Sequence, residues 1–449
     1  MIELDNKDAL TAQLQDLATQ ILAVAKQRGA TAAEVNIDKG TGLSTEVRMG
    51  AVEKLEYHRD QGAGITIYFG NRKGYSSCGD LSVQALTDAV DAACRIAKYT
   101  AEDEFNGLAD ASLMAKSWPD LDLYHPWDLN AETAIRRAQE TEAIARESDA
   151  RISNSDGSSV ESYAGLSLYA NSHGFSGAVH STHHSASCVL VGQDGESMQR
   201  DYWYSVARAP SELESPAVIG QKAAERTVRR LNARTLSTCE VPVLFPATLA
   251  RGLIGSLVSA VSGGSQYRKA TFLPDSIGQK LFPDFVQLRE DPFIPRALGS
   301  RGFDGEGVAT QARDILVDGR LQGYFLSTYS AKKLGMVTTG NAGGNHNLIL
   351  QSTGHSYEDL LQQLGTGLLL NELFGGGVNG MTGDYSRGAV GFWVENGVIQ
   401  YPVEEITIAG NLKDMYHNIQ AIGNDVDIRG NIRSGSILIN RMTIAGSNS

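Results

Sequence analysis

Cysteine is scarce: Cys78, Cys94, Cys188 and Cys239 are the only four in 449 residues, and no two form a CxxC pair. That excludes a disulfide framework and fits reduced thiols in a cytosol. Basic clusters are absent as well. Lys plus Arg number 39 against 52 Asp plus Glu, for a formal charge of −13, and no basic run exceeds a pair such as Arg229-Arg230 or Lys332-Lys333. Nucleic-acid binding needs clustered cations against phosphate, so that class is excluded. No window approaches the roughly 18 apolar residues of a membrane span. Asp5, Asp8 and Asp16 interrupt the first thirty residues, which therefore do not read as a signal peptide. The expectation is a cytoplasmic protein with neither membrane nor nucleic acid as partner.

Several catalytic motifs are missing. There is no HExxH, no GxSxG, and no histidine between His184 and His346. Gly335–Gly340 has P-loop spacing, but Asn341 stands where the phosphate-binding lysine belongs, so nucleotide binding is not expected.

What is present is glycine, 48 residues of it, within a composition that is 42% hydrophobic and 20% charged. This describes a turn-rich globular chain long enough for two cores. Leu10, Leu14, Leu17 and Ile21 recur at helical spacing up to Gly29. From Glu34 to Cys78 the period falls to two, predicting an antiparallel meander punctuated by Gly40, Gly50, Gly62, Gly64, Gly70 and Gly74. Helices follow from Ser82, over 131–147 with its charges on the solvated face, and from Ser215-Pro216. Asn154 to Gly157 reads as a turn. In the second half Val241–Phe245 is a strand, Ala247–Val261 an apolar helix, and Ser356 caps another helix. Asp318-Gly319 and Asn396-Gly397 sit between alternating runs as two-residue hairpin turns. The predicted class is α+β in two domains: 1–235, α/β with antiparallel strands, and 236–449, β-rich.

Four groups could carry chemistry, and each has a plain structural alternative. His180, His183, His184 and Cys188 include zinc-type ligands, but on a strand four residues span about 13 Å and the set cannot converge on one ion. Asp304-Gly305-Glu306 brings two carboxylates together, for acid–base work or as an acidic turn. His346 is a base, a ligand, or part of a loop. Asp384 and Arg387 form an ion pair or a clamp on a tight turn.

The stretch from Gly380 to Met415, GMTGDYSRGAVGFWVENGVIQYPVEEITIAGNLKDM, resembles the C-terminal signature of the TldD/PmbA family, in its PmbA (TldE) branch. The likeness runs through Gly64-Ile-Thr-Ile-Tyr, Asn171-Ser-His-Gly174, Gly263-Gly-Ser-x-Tyr-Arg-Lys269 and Ser330-Ala-x-Lys-Leu-Gly335. The resemblance implies a two-domain subunit that pairs with a TldD-like protease as a heterodimeric metalloprotease. It also implies unfolded peptides as substrates, as in peptide-antibiotic maturation and antitoxin degradation. TldD-like chains carry HExxxH on one helix, two histidines on the metal and a glutamate acting on its water, with a later cysteine. In the matching helix, Gly252 to Val261, the resemblance puts Ser256 and Val261 at the histidines and Leu257 at the glutamate, and no cysteine follows Cys239. Those positions cannot hold a metal or acidify its water. The expectation is no metal in this chain, with zinc in the TldD-like partner, and a homodimer as an option when the chain is alone. Two other readings stay open: an active metallopeptidase with unrelated ligands around His346, Asp304 or the His180 cluster, and a peptide-binding adaptor.

Overall fold

The structure is a computed structural model that describes residues 7–446. Helix α1 (Lys7–Gln27) buries Leu10, Leu14, Ala18, Ile21 and Ala25 along one stripe, and Gly29 at φ 84° turns the chain behind it. Strands β1 (Ala32–Arg48), β2 (Ala51–Phe69) and β3 (Arg72–Cys78) form the expected meander. Its glycines divide into two kinds. Gly50 and Gly70, at φ 80° and 59°, make the turns, whereas Gly40, Gly62, Gly64 and Gly74 lie within strands. Close packing explains Gly40, since a Cβ there would overlap the Tyr163 hydroxyl.

Ser82 caps α2 (Val83–Tyr99) by accepting from the Ala85 N–H. Then come α3 (Ala131–Glu147), β4 (Ile152–Asn171), β5 (Ser176–Asp194), β6 (Ser197–Ala207) and α4 (Pro216–Val228). The six strands form one antiparallel sheet in the order β3-β2-β1-β4-β5-β6. Asn154 to Gly157 is part of β4, where the expected turn is replaced by register shifts that absorb the extra residues. Glu142 also departs from the solvated-face reading of α3. It is 1% exposed, and its carboxylate accepts from the backbone N–H groups of Met49 (2.8 Å) and Gly50 (2.7 Å) at the β1–β2 turn.

The second half opens with β7 (Cys239–Phe245), α5 (Ala247–Ala260) and the short α6 (Gly263–Tyr267). Strands β8 (Leu288–Asp291), β9 (Arg313–Val317) and β10 (Arg320–Leu321), helix α7 (Thr328–Lys333), strand β11 (Asn347–Leu350) and helix α8 (Tyr357–Leu364) follow. The chain ends with β12 (Gly367–Phe374), β13 (Asp384–Glu395), β14 (Val398–Asn411), α9 (Leu412–His417), β15 (Ile419–Ile422), β16 (Ile432–Arg433) and β17 (Ile437–Ala445). Both hairpin turns form, with Asp318 and Asn396 at φ 49° and 51° and Gly319 and Gly397 at 69° and 75°.

One sheet here runs β10-β9-β8-β11-β16 and the other β14-β13-β12-β7-β17-β15. Strand β14 also pairs with β17, which closes five strands into a barrel. The largest core joins its residues Phe245 and Ile408 to Leu253 and Leu257 of α5, Phe282 and Tyr416. The N-terminal sheet has two cores on its helix-covered side, one under α1 and α2 and one under α3 and α4. The architecture is α+β. Among the described residues no helix is long and apolar enough to cross a membrane.

Candidate functional site

Helix α5 positions the site. Leu253, Ile254, Leu257 and Ala260 are buried, and their i, i+3/i+4 recurrence seats the helix against the barrel. The opposite stripe, Gly252, Gly255, Ser256 and Ser259, carries almost no side-chain bulk and opens a cavity of about 510 Å³. Phe272 and Gly380 lie across from it, tied together by a bond from the Phe272 N–H to the Gly380 carbonyl (2.9 Å). Ser256 turns its hydroxyl back onto the Gly252 carbonyl at 3.1 Å.

Of the three positions that the resemblance assigns to the motif, Ser256 alone lines the cavity. Leu257 and Val261 are both 0% exposed and belong to the core, so neither faces the cavity. With Ser256 at the middle position, the i, i+1, i+5 pattern that reaches the cavity is Gly255, Ser256 and Ala260. Neither glycine nor alanine has a donor atom, and a serine hydroxyl held by its own helix is a poor one. The residues present do not fit a metal ion. The stripe was legible: small residues recur at 252, 255, 256 and 259, out of phase with Leu253, Ile254 and Leu257.

The signature stretch supplies the far wall. Asp384 does not pair with Arg387, because residues three apart on β13 point to opposite faces. Its carboxylate instead accepts from the Thr382 hydroxyl (2.6 Å) and the Asn411 amide (3.2 Å), bonds that hold its pKa below the usual carboxylate range. The Asn379 N–H donates to the Asp384 carbonyl at 2.8 Å, fixing the loop that carries Val378 and Gly380. Asp384 is therefore the turn clamp. Arg387 reaches the Leu373 carbonyl at 3.4 Å, and its buried Nε has no hydrogen-bond partner among the described residues.

His346 lies away from this cavity, 5% exposed. Its Nε2 sits 2.8 Å from the Gly340 carbonyl, and burial lowers its pKa. Its backbone N–H and the Asn341 amide both donate to Glu290, which Arg313 pairs at 2.9 Å, so the glycine loop is a buried structural network. Asp304 and Glu306 do not converge on a common site. Asp304 accepts from the N–H groups of Glu306 (2.9 Å), Val308 (3.0 Å) and Ala342 (2.9 Å), and burial pushes its pKa up to about 6. Glu306 accepts from the Thr328 N–H at 2.9 Å.

On β5, His180 Nε2 meets the Thr11 hydroxyl at 2.8 Å, while His184 bonds the His125 carbonyl (2.8 Å) and Ser162 (3.0 Å). Burial pushes the Cys188 thiol up to about 12. Among the described residues no three His, Cys, Asp or Glu side chains are grouped to hold a metal ion.

The chain thus joins a helix-covered antiparallel sheet to a barrel with a cavity-lining helix. The models of the PmbA/TldA metallopeptidase match this chain as domain 1 over 33–97, central domain over 124–231 and C-terminal domain over 238–446. The chain belongs to the PmbA/TldD family. It is 48% identical to Metalloprotease PmbA of Escherichia coli O157:H7, over 95% of this chain and 94% of that one. Its identity to the Metalloprotease PmbA homolog of Haemophilus influenzae is 46%, covering 98% of both. A Bacteroides thetaiotaomicron crystal structure, labelled a candidate modulator of DNA gyrase, superimposes with TM-score 0.92 at 30% identity and full coverage of both chains. TldE of Thermococcus kodakarensis shares the fold, with TM-score 0.85 at 19% identity over 96% of this chain and all of that one.

Proposed function

We propose that this chain is the non-catalytic, TldE-type subunit of a TldD–TldE metalloprotease acting in the cytoplasm on unfolded peptides. The TldD-like partner would supply the metal, as zinc, while this subunit completes the substrate chamber. One observation carries the reading: at the spacing of the metal-binding motif, the cavity face of α5 presents Gly255, Ser256 and Ala260. The same reasoning divides the chain at 235/236, since the large cores fall within 10–224 or within 243–444.

The second reading is that the chain is itself an active metalloprotease, because its curated relatives carry that word in their names. Elemental analysis of the purified chain, with an unfolded-peptide assay run with and without a TldD-like subunit, separates the two. The expected result is no bound zinc, cleavage only after the partner is added, and unchanged cleavage by an assembly carrying Ser256→Ala. Stoichiometric metal with chelator-sensitive cleavage by the chain alone would overturn the proposal.

A further inference from the structure

Another pocket opens where the two halves of the chain meet, and α5 borders it as well. It measures about 140 Å³ and is walled by Leu249 of α5, Leu373 of β12 and the rings of Tyr202 and Tyr204 on β6. Those two rings stack with centroids 6.3 Å apart and planes at 27°, which gives the pocket a flat apolar side. At ~30 Å³ per water the space equals roughly four or five waters, or one apolar side chain of middling size.

The charges at this pocket are matched, with one exception. Arg226 and Arg429 line it and pair with Asp201 at 3.1 Å and with Asp427 at 2.9 Å. Glu372 lines it too and is paired by Arg230 at 2.7 Å. Arg251 is the third arginine of the lining, and among the described residues it has no carboxylate partner. Its Nη2 donates to the Tyr204 hydroxyl at 3.2 Å, and a Cβ at Gly430 would lie 3.3 Å from its Nη1. The guanidinium is thus held in place while most of its donor fork stays uncommitted.

An unmatched arginine beside an apolar pocket selects a monoanion that carries an apolar group. A guanidinium fork takes carboxylate or phosphate two-pronged. A phosphate dianion would bring a second negative charge toward Glu372 and Asp427 with no further free cation in the lining, so a carboxylate fits the balance. The pocket also adjoins the larger cavity along α5: Arg251 borders the one, and Gly252, next in the chain, borders the other. From Arg251 to Ser259 the helix rises about 12 Å at ~1.5 Å per residue. That is the reach of about four extended residues at ~3.3 Å each. The end of a peptide supplies all three parts, a carboxylate, a last side chain and an extended backbone. We propose that Arg251 receives the C-terminal carboxylate of a peptide lying along α5, with an apolar last side chain in this pocket. The proposal rests on the reading of this chain as a subunit of a peptide-cleaving assembly, and it adds that the subunit recognises the substrate's free end.

Calorimetric titration of the full chain with acetyl-Ala-Ala-Ala-Leu, as the free acid and as the C-terminal amide, tests this. The acid should bind about tenfold more tightly than the amide. Arg251→Gln should bring the acid down to the affinity of the amide. Arg251→Lys, which keeps the charge and loses the fork, should retain only part of the difference. In an assembly with a TldD-like subunit, Arg251→Gln should raise KM for the acid about tenfold, with kcat and cleavage of the amide unchanged. Equal binding of acid and amide, or no binding of the acid, would overturn the proposal. So would an acid preference that survives Arg251→Gln, or displacement of the acid by an equal concentration of inorganic phosphate. These binding results need no partner, so the proposal fails on them even where partner-dependent cleavage stands. Acid-selective binding that Arg251→Gln removes, found together with metal-dependent cleavage by the chain alone, would uphold the anchor and sink the non-catalytic reading.

Discussion

At the scale of single residues, burial decided which candidate groups stay structural. Asp304 shows this most sharply, with its carboxylate surrounded by three backbone donors yet raised to about 6 because burial outweighs them. In the unfolded chain an aspartate titrates near 3.9. Between these values the folded protein holds a proton that the unfolded chain has lost. Stability from this group is therefore full below about pH 4 and lost as pH rises through about 6. A two-unit shift corresponds to about 2.7 kcal/mol at most. Asp304→Asn removes the titration but puts an amide donor among the backbone N–H groups, so it should destabilise at every pH. The penalty should be larger at pH 4 than at pH 7, as read by urea denaturation at both. An equal penalty would show that Asp304 titrates normally. Burial also sorts the positions of α5: apolar or small identity alone does not say which of Ser256, Leu257 and Val261 faces the core. The phase of the whole helix does.

At the scale of elements, legibility followed how local the determining chemistry is. The helix over 131–147 and both hairpin turns were readable because caps, hydrophobic period and positive-φ residues act within a few positions. The meander was readable too, but its interior glycines were misread as punctuation. For two of them the neighbour is distant in sequence: Tyr163 over Gly40 and the Ala93 backbone of α2 over Gly74. Glu142 was equally hidden, because its partners at the β1–β2 turn lie 92 and 93 residues away. That contact makes α3 the support of the β1–β2 hairpin. Glu142→Ala should strand two N–H groups at the turn and cost about 1–3 kcal/mol. Glu142→Gln, with one acceptor left, should cost less. Hydrogen exchange at Met49 and Gly50 should accelerate in the alanine variant before any change in the barrel, and uniform acceleration would contradict a local cap.

For the whole molecule, barrel closure by β14 and β17 was not legible, because no local pattern reports a pairing of the last strand with one about 35 residues earlier. The junction of the two halves was no more visible, although its residues are charged. Asp201 on β6 is 2% exposed, with Arg226 at 3.1 Å from Oδ1 and the Asn371 amide of β12 at 2.8 Å from Oδ2. Arg229 donates to the other end of Asn371 at 2.8 Å, and Arg230 reaches Glu372 at 2.7 Å. One buried carboxylate thus compensates α4 cations and anchors the barrel strand beside β7. Removing one partner of such a set leaves uncompensated buried charge, costing about 3–5 kcal/mol. Asp201→Ala should show that loss in chemical denaturation. Because the set spans both halves, it should also separate their unfolding. Hydrogen exchange in β7 and β17 should then diverge from exchange in β4 and β5. Asp201→Asn, which keeps an acceptor for Asn371, should fall between. A loss below 1 kcal/mol with exchange still uniform would mean that the aromatic contacts of Phe175 and Phe303 hold the halves without the charges.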